Sequence, residues 1–361
     1  MMGRYCARAA GTPSPQAVPE GEIAMSEKDE LMAEAFAHLE AGDPETALEI
    51  GKRLESLQYS GAYEVQAMAY ADMDDTAQAV AVLEAGVAHA PRVWLLWQLL
   101  GNYRSDLGRF DAAIEAYEAA GNCAPDEDLV IVDFNHANAL ARQGDLALAQ
   151  ARLDRTLESP HLAQAGRAFI ENAIALRMHL FVAQGEPKAA IATYEALAKQ
   201  EHDEEGSNVS MADVLAELSL AYKQSGDNAK ALAIALNAVQ SYKWSDAALW
   251  ALRAARDEQS ETARAMHLIV EGQWYEPLED EDPDGPAPEF VTTYDVVAED
   301  EAEALRLIAE CEPPQVRESL RIAETHLIDN EDASATAYKG VYATGDYHMY
   351  QQGEEDESLD D

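Results

Sequence analysis

The chain has 361 residues, 48% of them hydrophobic, enough for a buried core in two or three domains, but aromatics make up only 7%, so packing must rest on Ala and Leu rather than line a large cofactor pocket. Its 68 Asp and Glu against 25 Lys and Arg give a net charge of −43, which argues against a nucleic-acid partner and an anionic membrane surface, because phosphate binding needs clustered cations. Three cysteines, Cys6, Cys123 and Cys311, are odd in number and far apart, so neither a disulfide framework nor a spaced metal site is expected, and a reducing, cytoplasmic location fits best.

Residues 1–25 contain Arg4 and Arg8 but lack the apolar run of roughly 7 to 15 residues that a secretory signal needs. Pro13, Pro15 and Pro19 would break any helix there, so the segment reads as disordered, with Met25 an alternative start. No stretch approaches the roughly 20 apolar residues of a membrane span.

From residue 26 the pattern is helical and repeats. Gly42-Asp43 leads into Ala47, with Ala35 ahead of it and Gly51 and Leu54 behind. The next copy carries Ala67 and Tyr70 in a first helix and Ala79, Leu83, Gly86 and Pro91 in a second. In the copy after that, Trp97, Leu100 and Gly101 share one helix face, Gly108 ends the helix, Phe110 follows, and Ala113, Tyr117 and Ala120 form the stripe of a second helix stopped by Pro125. Three weaker copies turn at Gly144-Asp145, Gly185 and Gly226-Asp227, leading to Ala149, Leu153 and Thr156, to Ala190, Tyr194 and Leu197, and to Ala231, Ala235 and Ala238.

This combination of small residues, aromatics, turn glycines and terminal prolines resembles the tetratricopeptide repeat, a helix-turn-helix of about 34 residues. The resemblance covers roughly residues 26–243 and implies a mainly α fold: a right-handed α-solenoid of about six such repeats, in which ligands lie along the first helices of successive repeats. One variety of the family holds a carboxyl-terminal peptide with Asn and Lys or Arg side chains. Here Asn102 and Asn135 occupy the two asparagine places, but Gln98 replaces the expected Lys, and Asn172 and Leu176 stand where further cations belong. The groove is instead expected to be lined by Glu64, Met68, Asp72, Gln98, Asn102, Asp106, Phe134, Asn135, Asn138 and His179, a partly acidic set that favours a basic or helical segment of a protein partner over a carboxylate.

Residues 247–270 continue the helical pattern and read as the cap of the stack, which closes the solenoid at 26–271. Residues 272–288 are rich in Pro and acid and read as an interdomain linker. Within it, Asp280-x-Asp282-x-Asp284-Gly285 matches the first half of a calcium loop, but Val291 stands where the bidentate Glu belongs. The period then becomes alternating. Residues 290–297 read as a strand, Asp300 and Glu303 cap a helix, residues 320–328 alternate again, and Gly345-Asp346 suits a two-residue hairpin between 337–344 and 347–350. This β-α-β-β-β order describes a small α+β module over 289–350, followed by an acidic, disordered tail at 351–361.

Residues 271–361 hold 27 Asp and Glu against 4 Lys and Arg. Solubility or a salt-rich cytosol would explain such an excess, and so would a basic protein partner. There is no HExxH, phosphate loop, dinucleotide fingerprint or Cys-x-x-Cys; His326 with Glu324, or His348 among Tyr342, Tyr347 and Tyr350, are the acid-base sets that can be drawn. The expected function is a non-enzymatic protein-binding scaffold without cofactor or metal. An enzyme in the C-terminal module and an acidic decoy for a nucleic-acid-binding protein are the alternatives; the homo-oligomeric state is open.

Overall fold

The computed structural model describes residues 27–199, 208–275, 287–328 and 337–350. The first 25 residues, the calcium-like run at 280–285 and the tail at 351–361 lie outside them. Two compact units divide between Ala173 and Ile174.

The first unit is a series of helix pairs: α1 (Glu27–Glu40) with α2 (Pro44–Ser56), α3 (Gly61–Asp72) with α4 (Thr76–His89), α5 (Trp94–Asp106) with α6 (Phe110–Gly121), and α7 (Leu129–Gln143) with α8 (Leu146–Leu157), closed by the start of α9 (Arg167–Ala183). Each pair turns as its sequence dictates. Gly42, Asp74, Gly108 and Gly144 all take positive φ, the left-handed conformation that ends a helix, and Asp74 is the one non-glycine among these four turns. At three of the four turns the next residue then caps the following helix: the carboxylates of Asp43, Asp75 and Asp145 accept the backbone N–H of Thr46, Gln78 and Leu148.

The apolar stripes expected from the repeats are buried: Ala47 and Leu54, Ala79 and Leu83, Ala113 and Tyr117, Ala149 and Leu153. Helices approach closely where a side chain is absent, between α2 and α3 and within the α3/α4 and α5/α6 pairs. A Cβ on Gly51 would lie 2.7 Å from Gln66, one on Gly86 2.8 Å from Tyr63, and one on Gly101 2.5 Å from the Tyr117 ring. Tyr117 cannot swing away, because it is buried and its hydroxyl donates to Asn102 Oδ1 at 2.9 Å.

In the second unit, the rest of α9 is followed by α10 (Pro187–Leu197), α11 (Asn208–Gln224), α12 (Asn228–Ser241) and α13 (Asp246–Arg256). Its turns at Gly185 and Gly226 again take positive φ, and Asp227 caps α12 through the Lys230 N–H. Then come β1 (Gln259–Ser260), β2 (Arg264–Gln273), β3 (Glu289–Ala298), α14 (Glu301–Cys311), β4 (Arg321–Leu327), β5 (Ala337–Tyr338), β6 (Gly340–Thr344) and β7 (His348–Tyr350). The sheet runs β4-β2-β3-β6 antiparallel, with β7 also on β3 and β1 pairing β5 separately.

Three expectations are corrected here. The helical cap at 247–270 ends at Arg256, where Asp257 takes φ 57°, and from Arg264 the chain is a strand. Ala265, Met266 and Leu268 are helix formers, but alternate residues Met266, Leu268 and Val270 are the buried ones, so burial on one sheet face overrides propensity. Second, β2 pairs β3 residue for residue from Arg264↔Ala298 to Gln273↔Glu289, so the run read as an interdomain linker joins neighbouring strands of one sheet. Third, Gly345-Asp346 does not turn a hairpin. Both β6 and β7 pair with β3, and Gly345 lies against that strand, its N–H donating to Thr293 O at 2.7 Å where a Cβ would meet the Thr293 hydroxyl at 2.3 Å.

The sheet and the last helices share one core, which runs from Ala175 through Leu249 and Leu252 to Met266, Tyr294, Leu307 and Val341. At its centre the Lys243 ammonium, 4% exposed, sits 2.8 Å from the fully buried Glu312 carboxylate and 3.0 Å from the Tyr294 hydroxyl. It lies 3.5 Å from the centre of the Tyr347 ring, and the Tyr294 and Tyr347 hydroxyls both donate to Glu312. Burial pushes the lysine below its ordinary range and the two phenols above theirs. The residues that tie the helices to the sheet are thus charged and mutually satisfied.

Two outcomes follow from this packing. Gly101→Ala should lower stability by about 1–3 kcal/mol in urea unfolding, because Tyr117 cannot yield. Gly121→Ala, whose Cβ would meet only Val132 at 3.8 Å, should cost nothing; equal effects would mean that Gly101 is not a close crossing. Lys243→Met strands the Glu312 carboxylate and should cost about 3–5 kcal/mol, and replacing Glu312 by Leu in the same chain should recover part of it. A loss below about 1 kcal/mol for the single variant would show that the pair is not desolvated.

Candidate partner-binding face

The first helices of consecutive pairs carry equivalent residues. Glu64, Met68 and Asp72 of α3 stand 34 residues before Gln98, Asn102 and Asp106 of α5, so they form three rows across the two helices. In α7, Arg142 lies 36 residues beyond Asp106. Residues one and two turns apart on a helix share a face, which places an acid-containing row at each end of this one.

The expected lining divides by burial. Gln98 is 2% exposed and Asn102 1%; Asn135 is also buried, whereas Glu64, Met68, Asp106, Phe134 and Asn138 are half-buried and Asp72 is exposed. Asn102, aligned with a ligand-holding asparagine of the family, here accepts the Tyr117 hydroxyl and so serves its own helix pair. Phe134 packs edge-on against Phe169. Among the described residues the amide of Gln98 has neither donor nor acceptor satisfied, and Oδ1 of Asp106 is likewise buried without a partner.

Electrostatics single out the same residues. Burial alone pushes the Glu64 carboxyl up to about 7. Burial also raises Asp106, against the opposing pull of the Arg142 guanidinium, which itself donates to Ser105 Oγ at 3.1 Å. The buried Tyr103 phenol is raised by desolvation and then by Asp72, Asp106 and Glu64, so all three carboxyls lie within electrostatic reach of one hydroxyl. By contrast, Asp133 is paired with both Arg152 and Arg155.

His179 falls in the second unit, on α9. Its Nδ1 is 3.0 Å from Glu217 Oε1, and that hydrogen bond, opposed by burial, raises its pKa. Glu217 and Asp213, one turn apart on α11, were not expected from the sequence. Their spacing on the first helix of the last repeat was the available signal, hidden because the repeat interval there had lengthened to 41 residues between turn glycines. Of the sets drawn from the C-terminal module, His326 Nε2 stands 3.3 Å from Glu324 with both side chains more than 60% exposed, and His348 is exposed whereas Tyr347 belongs to the Lys243 and Glu312 cluster.

The desolvated Glu64 predicts a pH dependence. Its pKa is higher folded than unfolded, so the folded state binds more protons across roughly pH 4.5 to 7, and stability is lost as pH rises through that window. Glu64→Gln should therefore gain on the order of 1–3 kcal/mol relative to the parent between pH 5 and pH 8, read by urea unfolding. Parallel pH profiles for the two chains would refute this assignment.

The sequence profile of the family described as Tetratricopeptide repeat matches residues 96–120, the segment that contains most of α5 and α6. Among solved structures, Cut9–Hcn1 of the APC/C hetero-tetramer is 14% identical over 63% of this chain and 42% of that one, with a TM-score of 0.49. PilF of Pseudomonas aeruginosa is 14% identical over 64% of this chain and 96% of its own, and PilW, a type IV pilus biogenesis factor, 16% identical over 63% and 100%, both again at 0.49. No curated protein matches. Among the described residues no helix is long and apolar enough to cross a membrane. The matched segment is a tetratricopeptide repeat, and the turn residues, capping aspartates and close glycine crossings of the other helix pairs are similar to it.

Proposed function

We propose that the chain is a protein-binding scaffold that takes a basic segment of its partner along the first-helix face of the repeats. One observation carries this reading: on α3 and α5, Glu64, Gln98 and Asp106 are drawn out of water, yet among the described residues the Gln98 amide and one oxygen of Asp106 have no hydrogen-bond partner, and no cation offsets the burial of Glu64. Buried polar groups are normally satisfied, and leaving them unsatisfied is costly, so they suit donors that arrive with a ligand. Asp72 widens the acidic stretch, and Met68 and Phe134 offer apolar area beside it. A carboxylate would be repelled here; an ammonium or guanidinium would be held.

Long-range attraction supports the same partner. The excess of acid, densest after residue 270, would speed encounter with a basic protein and would weaken within a Debye length of about 8 Å at physiological salt. Proteins retained by the tagged full chain at low salt should include one that elutes as salt rises to the physiological range. Glu64→Gln combined with Asp106→Asn should cut its retention at least tenfold, and Phe134→Ala should speed its dissociation. Retention indifferent to both salt and these variants, or a partner whose contacting segment is acidic, would overturn the reading.

A further inference from the structure

The second unit carries an acidic cluster of its own, on a different helix. Asp213 and Glu217 are four residues apart on α11, which puts their Cβ atoms about 5–6 Å apart on one face. Each is gripped from one side only. Ser245 Oγ donates to Asp213 Oδ1 at 2.6 Å, and His179 Nδ1 lies 3.0 Å from Glu217 Oε1. The remaining Glu217 oxygen, Oε2, is buried without a hydrogen-bond partner among the described residues, on a residue only 7% exposed. The cluster is not sealed, because the His179 side chain is 42% exposed and Asp213 is half-buried.

Two like charges so close and partly out of water destabilise each other unless a shared cation relieves them. Burial, with the nearby Glu217 and Asp246 carboxylates, pushes Asp213 up to about 6 despite the Ser245 hydrogen bond. His179 answers one oxygen of Glu217 and leaves the second. A metal ion is a poor fit: among the described residues no set of three or more His, Cys, Asp or Glu side chains is placed to hold one. A flat cation with several donors fits better, since a guanidinium can bond two carboxylates at once and gives up its hydration more readily than an ammonium.

We infer that Asp213 and Glu217, flanked by His179 and Ser245, form a subsite for one arginine side chain of a partner protein. The inference rests on the reading of the chain as a protein-binding scaffold and adds a second, separate anchor in the second unit. The guanidinium would take the free Glu217 oxygen and the Asp213 carboxylate together. By competing for Glu217 it would also weaken that residue's hold on the His179 proton.

Hexa-arginine tests this with the full chain. Asp213→Asn with Glu217→Gln should weaken its binding at least tenfold in calorimetry. Glu45→Gln with Glu49→Gln removes the same charge at the same spacing from the exposed side of α2, and should change binding less than twofold. In NMR titrations, saturating hexa-arginine should lower the His179 pKa, with its signal assigned through His179→Gln. Equal losses in both double variants would reduce the effect to overall charge, and hexalysine binding as tightly as hexa-arginine would remove the guanidinium; either result overturns the inference, as does a His179 pKa that does not move. A natural partner lost from the Glu64 and Asp106 variant but kept by the Asp213 and Glu217 variant would overturn this subsite alone, leaving the scaffold reading standing.

Discussion

The structure depends on how closely neighbouring helices can approach. With so few aromatics, the repeat core is made of alanine and leucine, and such a core is dense only if the helices nearly touch. Gly51, Gly86 and Gly101 provide that approach by presenting bare backbone to a larger residue of a neighbouring helix. Tyr117 shows how one contact fixes the next: seated on Gly101, its ring is held in place while its hydroxyl binds Asn102 on the same helix as the glycine. An asparagine on the first-helix face thereby positions a tyrosine of its own helix pair.

The sequence made the repeats legible because their signals are local. A turn glycine can be read from single letters, and Gly42, Gly108, Gly144, Gly185 and Gly226 all take positive φ, three of them followed by a capping aspartate. Strand β2 was not legible, since Met266, His267 and Leu268 carry no turn or cap, and its partner β3 begins only after a long acidic run. Lys243 and Glu312, 69 residues apart, look like surface charges until the fold brings them together. The candidate face was half visible. Spacing identified Glu64, Gln98 and Asp106, but burial, which a spacing rule cannot supply, separates Gln98 and Asn102 from accessible residues such as Asp72.

The two acidic places on the first helices differ in kind. Glu64 is raised by burial alone, whereas Asp213 is raised by burial together with neighbouring carboxylates while a serine holds it. A cation arriving at either would displace protons as well as water, so binding and proton release are linked there. The cavity of ≈ 550 Å³ lined by Asn228, Leu232, Arg256 and Arg306 differs again, because its arginines already pair with Glu310.

The interrupted edge of β3 has a consequence for solubility. Two short strands, β6 and β7, occupy that edge where one long strand would do, and the gap frees the Gly345 carbonyl to accept both the Thr292 hydroxyl and the Trp244 indole N–H. On its far side β6 meets α13, whose Arg253 donates to the Val341 carbonyl. The β6 part of this margin is therefore covered by α13, which hinders another chain from extending it. Among the described residues the opposite margin, β4, has no strand beyond it, and there Arg321, Glu324 and His326 are exposed, charges and polar groups of the kind that deter strand-to-strand association.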